Sequence, residues 1–263
     1  SILDGQGALY WDGKGDTGTI KPGFFAIEAT GGSIFKDLTV LNCPHKCVAI
    51  RNSDDLTVTG FNVDVSDGDE DSLGHNTDGF NISDSTNIII EHSVVKNQDD
   101  CVVVNQGANI IIRDIHCSGG HGLSFSLGMT SEDQNTVSNV LIEDCVVSDS
   151  ANGIHVKTHS DGGTGYLHNV EYRNITLAGI TNYGVSIQQD YINGGTTKDP
   201  KDNIPIIDLL LVNVTGSMTG SKGMAVYIVC APDACEEFSF EGFEVTGASK
   251  ASVCNYSPWG YSC

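Results

Sequence analysis

Basic residues are scarce in this chain: 13 Lys and Arg stand against 34 Asp and Glu, giving a formal net charge of −21 and a pI near 4.4. That shortage excludes a nucleic-acid partner, because phosphate recognition needs a clustered basic surface and these few cations are spread along the sequence. Charge of one sign keeps a protein soluble and apart from its copies in acid surroundings, so a monomer is expected. A polyanionic substrate would then have to be held by a local cation.

Other features are missing too. No apolar stretch approaches the length that crosses a bilayer, so no membrane partner is expected. Ser1 opens no charged and then apolar leader, and any such segment is expected to have been removed. No three-to-four-residue apolar period is sustained, which argues against helices, and no Pro-rich, Ser-rich or charge-block linker divides the chain. Residues 1–263 read as one domain. The nine cysteines lack the repeated close ligand pairs of a zinc finger, and no cofactor or metal is implied. Their spacing suggests instead disulfides Cys43/Cys47, Cys230/Cys235, Cys254/Cys263 and Cys101/Cys117, leaving Cys145 odd and buried. With sequons beginning at Asn81, Asn174, Asn213 and Asn255, this points to secretion. Asn81 is the weakest acceptor, because it falls in a strand close to Asp78.

What the chain does have is a repeat. Apolar runs opened by a polar residue begin at Asn87, Asn109, Asn139 and Asn169, at intervals of 22, 30 and 30 residues. A further run begins at Asp208, and between the runs lies a second class of strand-length segment: Phe80–Ile82, Cys101–Val104, Leu123–Phe125, Ile154–Val156 and Val185–Ile187. Short β units at such periods, joined by Gly, Asn, Asp and Ser, predict an all-β, single-domain right-handed parallel β-helix. A propeller or a sandwich is the competing topology.

The repeat aligns four polar stretches: Asn76-Thr77-Asp78, Gln98-Asp99-Asp100-Cys101, Gly119-Gly120-His121-Gly122 and His155-Val156-Lys157. Asp78 and Asp100 are 22 residues apart, and Asp100 and His121 are 21 apart, about one coil each. Neighbouring coils lie about 4.8 Å apart, so Asp78, Asp99, Asp100 and His121 converge. Three carboxylates that close cannot all ionise normally; one stays protonated as an acid while another remains a base. Glycosidic hydrolysis requires that pairing. The competing reading is that the acids merely cap turns.

Read at length, these motifs resemble the fungal-type polygalacturonases, glycoside hydrolases that cut the homogalacturonan backbone of pectin. The likeness rests on Gly74-His75-Asn76-Thr77-Asp78-Gly79-Phe80, Lys96-Asn97-Gln98-Asp99-Asp100-Cys101, Cys117-Ser118-Gly119-Gly120-His121-Gly122-Leu123-Ser124, and Tyr183-Gly184 followed by Gln188-Gln189-Asp190-Tyr191. The resemblance implies a polygalacturonate substrate, no cofactor, and inversion. Asp100 would be the general acid, Asp78 and Asp99 would activate water, and His121 would tune the acid's protonation. Lys157 and Tyr191 would hold the sugar, with Lys157 on its carboxylate, and Asn76 and His155 would line the binding site. Carboxylates about 5 Å apart would by themselves suggest retention, so the implied inversion conflicts with the spacing rule.

Three departures accompany the resemblance. His155-Val156-Lys157 stands where the family has Arg-Ile-Lys, which predicts that substrate binding weakens as His155 loses its proton. Asn81 replaces an Asp, and the family's N-terminal coils and cap are expected to be absent here. Other functions compete, hydrolysis of another pectic polymer among them. A calcium-dependent lyase could use Asp64, Asp67, Asp69, Glu70 and Asp71, although Ser72 stands where a calcium loop needs Gly. A pectin-binding protein could keep the groove without turnover, but it would have no need of all three acids and His121. The segment from Gly194 to Asn203 is a candidate for closing one end of the groove.

Overall fold

A computed structural model describes residues 1–129 and 135–263. The chain coils into a right-handed parallel β-helix, as the repeat predicts. Three short 3-10 turns, at Gly7–Leu9, Gly15–Thr17 and Ser66–Ser72, are the helical elements among the described residues.

A ten-stranded sheet carries the strands that matter for function. In order across it run Phe25–Ile27, Val48–Arg51, Phe80–Ser83, Val102–Val104, Leu123–Leu127, Asn152–His159, Tyr183–Ile192, Met224–Val229 and Val253–Cys254, all parallel. Gly195–Thr196 adds the tenth strand, antiparallel to the end of Tyr183–Ile192. A 13-stranded sheet wraps the remaining faces. Its long strands bend: the first half of Ser85–Lys96 pairs with Asp54–Thr59 and the second half with Asn62–Asp64.

The bends and turns explain the polar residue that opens each apolar run. Asn87, Asn109, Asn139, Asn169 and Asp208 all adopt left-handed φ between 54° and 58°. Asn and Asp tolerate that conformation better than other side chains with a Cβ. Stacked one per coil, the amides form a ladder in which Asn109, Asn139 and Asn169 each donate to the residue one coil below, at 3.1, 3.0 and 2.8 Å. Asn87 ends it on Asp54 at 2.8 Å.

Within each strand of the ten-stranded sheet, alternate side chains fill the tube. Leu123, Phe125, Leu127, Ile154, Val156, Val185 and Ile187 are fully buried in one continuous core. Their neighbours Ser124, Ser126, His155, Lys157, Ser186 and Gln188 belong to the opposite phase, the period of two forcing polar residues to the outer face. Register then stacks them: Asn81, Val103, Ser124, His155, Ser186 and Tyr227 form one column across six strands. The four expected disulfides are present, and Cys145 is free and buried, its thiol pushed up to about 12 by that burial.

Candidate active site

The three acids sit at the starts of adjacent strands, held by backbone contacts between coils. Asp78 precedes Phe80–Ser83, and the Gly79 amide donates to the Asp100 carbonyl at 2.9 Å. Asn97 fixes the acidic turn by donating to the carbonyls of Thr77, Asp99 and Asp100 at 2.8, 3.0 and 2.9 Å. Gln98 pins the neighbouring turn through Thr77 Oγ1, at 2.9 and 3.0 Å. Gly120 must be glycine here, since a Cβ would stand 1.9 Å from the Asp99 carbonyl oxygen. That close approach lets the His121 amide donate to the same oxygen at 2.8 Å.

Asp78, Asp99, Asp100, His121, His155, Lys157, Tyr191 and Asn76 all line one open pocket of about 420 Å³. Asp100, 3% exposed, accepts from Ser124 Oγ at 2.6 Å and from Lys157 Nζ at 2.7 Å. Asp99 faces His121 Nδ1 at 3.2 Å and accepts from Asn76 Nδ2 at 3.3 Å. Asp78, 7% exposed, accepts from Asn81 Nδ2 at 3.0 Å. Lys157 Nζ lies 5.5 Å from the centre of the Tyr191 ring, whose edge also meets His155 and His159.

These contacts divide the protons unequally. Burial, and then the charges of Asp99 and Asp100, push Asp78 up to about 8, so it is the neutral acid of the free protein. Burial works in the same direction on Asp99, but the hydrogen bond and charge of His121, with Lys157, hold it well below the usual carboxylate range. His121 is raised in turn: burial opposes its charge, and the Asp99 contact outweighs burial. One proton on a carboxylate set is what the sequence leads one to expect. Burial places it on Asp78.

Lys157 is thus found on an acid of the protein rather than open to solvent. His155 differs from expectation more sharply. It is buried, with Nδ1 against Asn152 at 3.2 Å and Nε2 against Gln188 Oε1 at 3.4 Å. Burial, and then the charges of Lys157 and His121, hold it well below its ordinary value, so it is neutral already and has no proton to lose at alkaline pH. The predicted alkaline loss of binding through His155 is corrected on that ground. Asn76, in left-handed conformation at the pocket lip, also accepts from the Asp16 amide at 3.0 Å, so it braces Asp99 against the first coil.

Asn81 is buried against Asp78, which removes it as a glycan acceptor, whereas Asn174, Asn213 and Asn255 are exposed. The acid run before Asp78 is engaged by protein donors. Asp67 accepts from Asn42, and Asp69 accepts from Gln98 at 2.9 Å and pairs with Lys96 at 2.7 Å. The segment from Gly194 to Asn203 folds back at the end of the pocket, where Asn203 Nδ2 donates to the carbonyls of His159 and Gly163. Polar atoms of Asp99, Asp100 and His121 lie within 4.8 Å of one another. Asp100 is paired with Lys157 and Asp99 with His121.

Asn97, Gln98, Ser124 and Gln188 also build the site; they lie inside the motifs read from the sequence but were given no role there, and Asn152 and His159 were not singled out at all. Ser124 and Gln188 occupy the polar phase of strands whose other phase is apolar, whereas the role of Asn97 rests on carbonyl contacts made by the fold.

A sequence model of the family described as Glycosyl hydrolases family 28 matches residues 1–263. A polygalacturonase of Phaedon cochleariae is 52% identical over 266 residues, covering 100% of this chain and 72% of the relative. Endopolygalacturonase A of Aspergillus niger is 43% identical over 264 residues, covering 100% and 70%. Among solved structures, endopolygalacturonase I from Stereum purpureum, complexed with two galacturonate, aligns with a TM-score of 0.83 at 35% identity over 95% of this chain and 74% of that one. A match along the whole sequence, carried by the same coils that bring the acids together, makes this chain a member of glycosyl hydrolases family 28 and a glycoside hydrolase.

Proposed function

We infer that this protein hydrolyses α-1,4-galacturonosyl bonds of homogalacturonan by carboxylate acid/base catalysis with inversion, outside the cell. The observation that carries the reading is the set of three carboxylates in one pocket, each in a different electrostatic environment, beside a single buried ammonium. Unequal environments are how carboxylates divide into acid and base. Of the lysines that line the pocket, Lys14, Lys46 and Lys157, the last is the one held against the acids and is the group that would read a uronate carboxylate. The polygalacturonase names of its relatives support the substrate.

Asp100 donates a proton to the leaving oxygen, while Asp78 and Asp99 orient and deprotonate the attacking water. His121, charged against Asp99, keeps that acid ionised. Tyr191 offers a ring face to the sugar. Four disulfides and three exposed sequons support an oxidising, extracellular setting, and the strong negative charge supports a monomer.

The test is release of new reducing ends from polygalacturonate, near pH 5 and with chelator present, by the parent and by Asp100→Asn. Release by the parent alone is expected. A folded parent that releases none overturns the reading, as does an unsaturated product. Proton NMR of the first-formed anomer tests inversion, which requires β.

A further inference from the structure

We propose that the buried Lys157–Asp100 ion pair is a switch thrown by the substrate: a sugar carboxylate takes the Lys157 ammonium, and Asp100, released, takes up the proton it must donate. The inference rests on the hydrolase reading above and deepens it, by making the substrate's own charge a condition of turnover rather than only of binding.

The free protein is not ready to act. Both Asp100 oxygens are engaged as acceptors, Oδ1 from Ser124 at 2.6 Å and Oδ2 from Lys157 at 2.7 Å. A carboxylate in that state has no proton to give to a leaving oxygen. The two side chains of the pair are only 6% and 5% exposed, and among the described residues Asp100 is the sole ion-pair partner of Lys157. Tyr191, on another side of the ammonium, offers a ring and no competing anion.

Of the groups on a galacturonate chain, only the uronate carboxylate can replace an anionic partner of Lys157. Once it does, Asp100 is a buried charge left with one neutral hydroxyl, and such a group neutralises rather than stay unpaired. The proton comes from solvent. Asp78 holds its own proton through burial and the charges of Asp99 and Asp100, so neutralising Asp100 removes one of these causes and loosens that proton as well. The other charged or titratable groups around the pair are Asp99, His121, His155, His159, Tyr172 and Tyr191; in the free protein His121 lies against Asp99 and His155 against Gln188.

A specificity rule follows. A methyl-esterified sugar at this position makes the other contacts but cannot draw Lys157 away. Turnover should fall at least about a hundredfold, the typical worth of a general acid, while KM changes much less. A lysine that only binds would give the opposite split.

The experiment is infrared difference spectroscopy of the carboxylic-acid C=O band near pH 6, using digalacturonate with ¹³C-labelled carboxyls so that sugar and protein bands separate. The free protein is expected to show an acid band that Asp78→Asn removes. Saturation with digalacturonate should add a band that Asp100→Asn removes. Lys157→Met, checked for native circular dichroism, should show the Asp100 band without ligand. Persistence of the Asp78 band in the saturated parent, with no Asp100 band, overturns the proposal, and the parent spectra decide this even if Lys157→Met does not fold. Reducing ends are measured on the same samples. Release of reducing ends from polygalacturonate without the Asp100 band sinks the switch alone, whereas the Asp100 band without release from polygalacturonate sinks the hydrolase reading alone.

Discussion

Replacing Asp78 with Asn should make this protein more stable as pH rises, even as it removes activity. The carboxyl is displaced from an ordinary 3.8 to about 8 by burial and by the charges of Asp99 and Asp100. In the unfolded chain it ionises near its ordinary value. Below that value both states are protonated and Asp78 contributes its full packing; between there and about 8 the native state holds a proton that the unfolded state has released. Native stability then falls by about 1.4 kcal/mol per pH unit through this group. Integrated over the whole interval the loss is roughly 6 kcal/mol, an upper bound because three coupled acids share it. Asparagine is nearly isosteric, stays neutral, and can turn its oxygen to the Asn81 amide that now donates at 3.0 Å. Urea unfolding of parent and Asp78→Asn near pH 4 and near pH 7.5 should show little difference at the lower pH and an advantage of at least about 2 kcal/mol for the variant at the higher one. Reducing-end release should drop about a hundredfold or more. A stability difference that does not change with pH would refute the assignment of the proton to Asp78.

Further outcomes are expected. His155→Gln should keep the parent's pH dependence of KM between about pH 5.5 and 7.5, because His155 is already neutral there; a flattened profile in the variant would show that the ring does titrate. His121 is raised by Asp99, so the stability this pair provides is complete below the ordinary histidine value and is lost as pH climbs past the raised one. His121→Asn should abolish that alkaline decline in a pH series of thermal unfolding. Gly120→Ala must push the Asp99 carbonyl away from a Cβ that would stand 1.9 Å from it, so activity should collapse, while far-UV circular dichroism stays that of a β-helix. Phe125→Ala, at a fully buried position packed edge-on against Tyr172, should cost about 3–5 kcal/mol in urea unfolding without shifting the pH optimum.

Much of the architecture was legible because a solenoid writes its period into the sequence. Asn87, Asn109, Asn139 and Asn169 recur since each coil needs a residue that tolerates left-handed backbone and can hydrogen-bond to its copy one coil away. The run Leu123–Phe125 reads as a strand by its alternation, and the structure extends that strand to Leu127. The same period aligned Asp78, Asp100 and His121, so the membership of the site was readable too. Its state was not. Lys157 is 57 residues from Asp100, and no spacing rule says whether its ammonium rests on that acid or waits for a substrate. His155 looked like a titratable cation because histidine in water is one; burial beside Lys157 makes it neutral.

The sequence by itself thus determined the coil, the face on which the acids emerge, the disulfide framework and the excess of negative charge, all consequences of period, side-chain polarity and residue count. Only the tertiary structure decided which acid keeps the proton, because that depends on burial and on which charge lies within a few ångströms in a medium that screens poorly. Stacked coils put Lys157 against Asp100 and left Asp78 without a cation of its own in contact, and the protonation of the site follows from that difference.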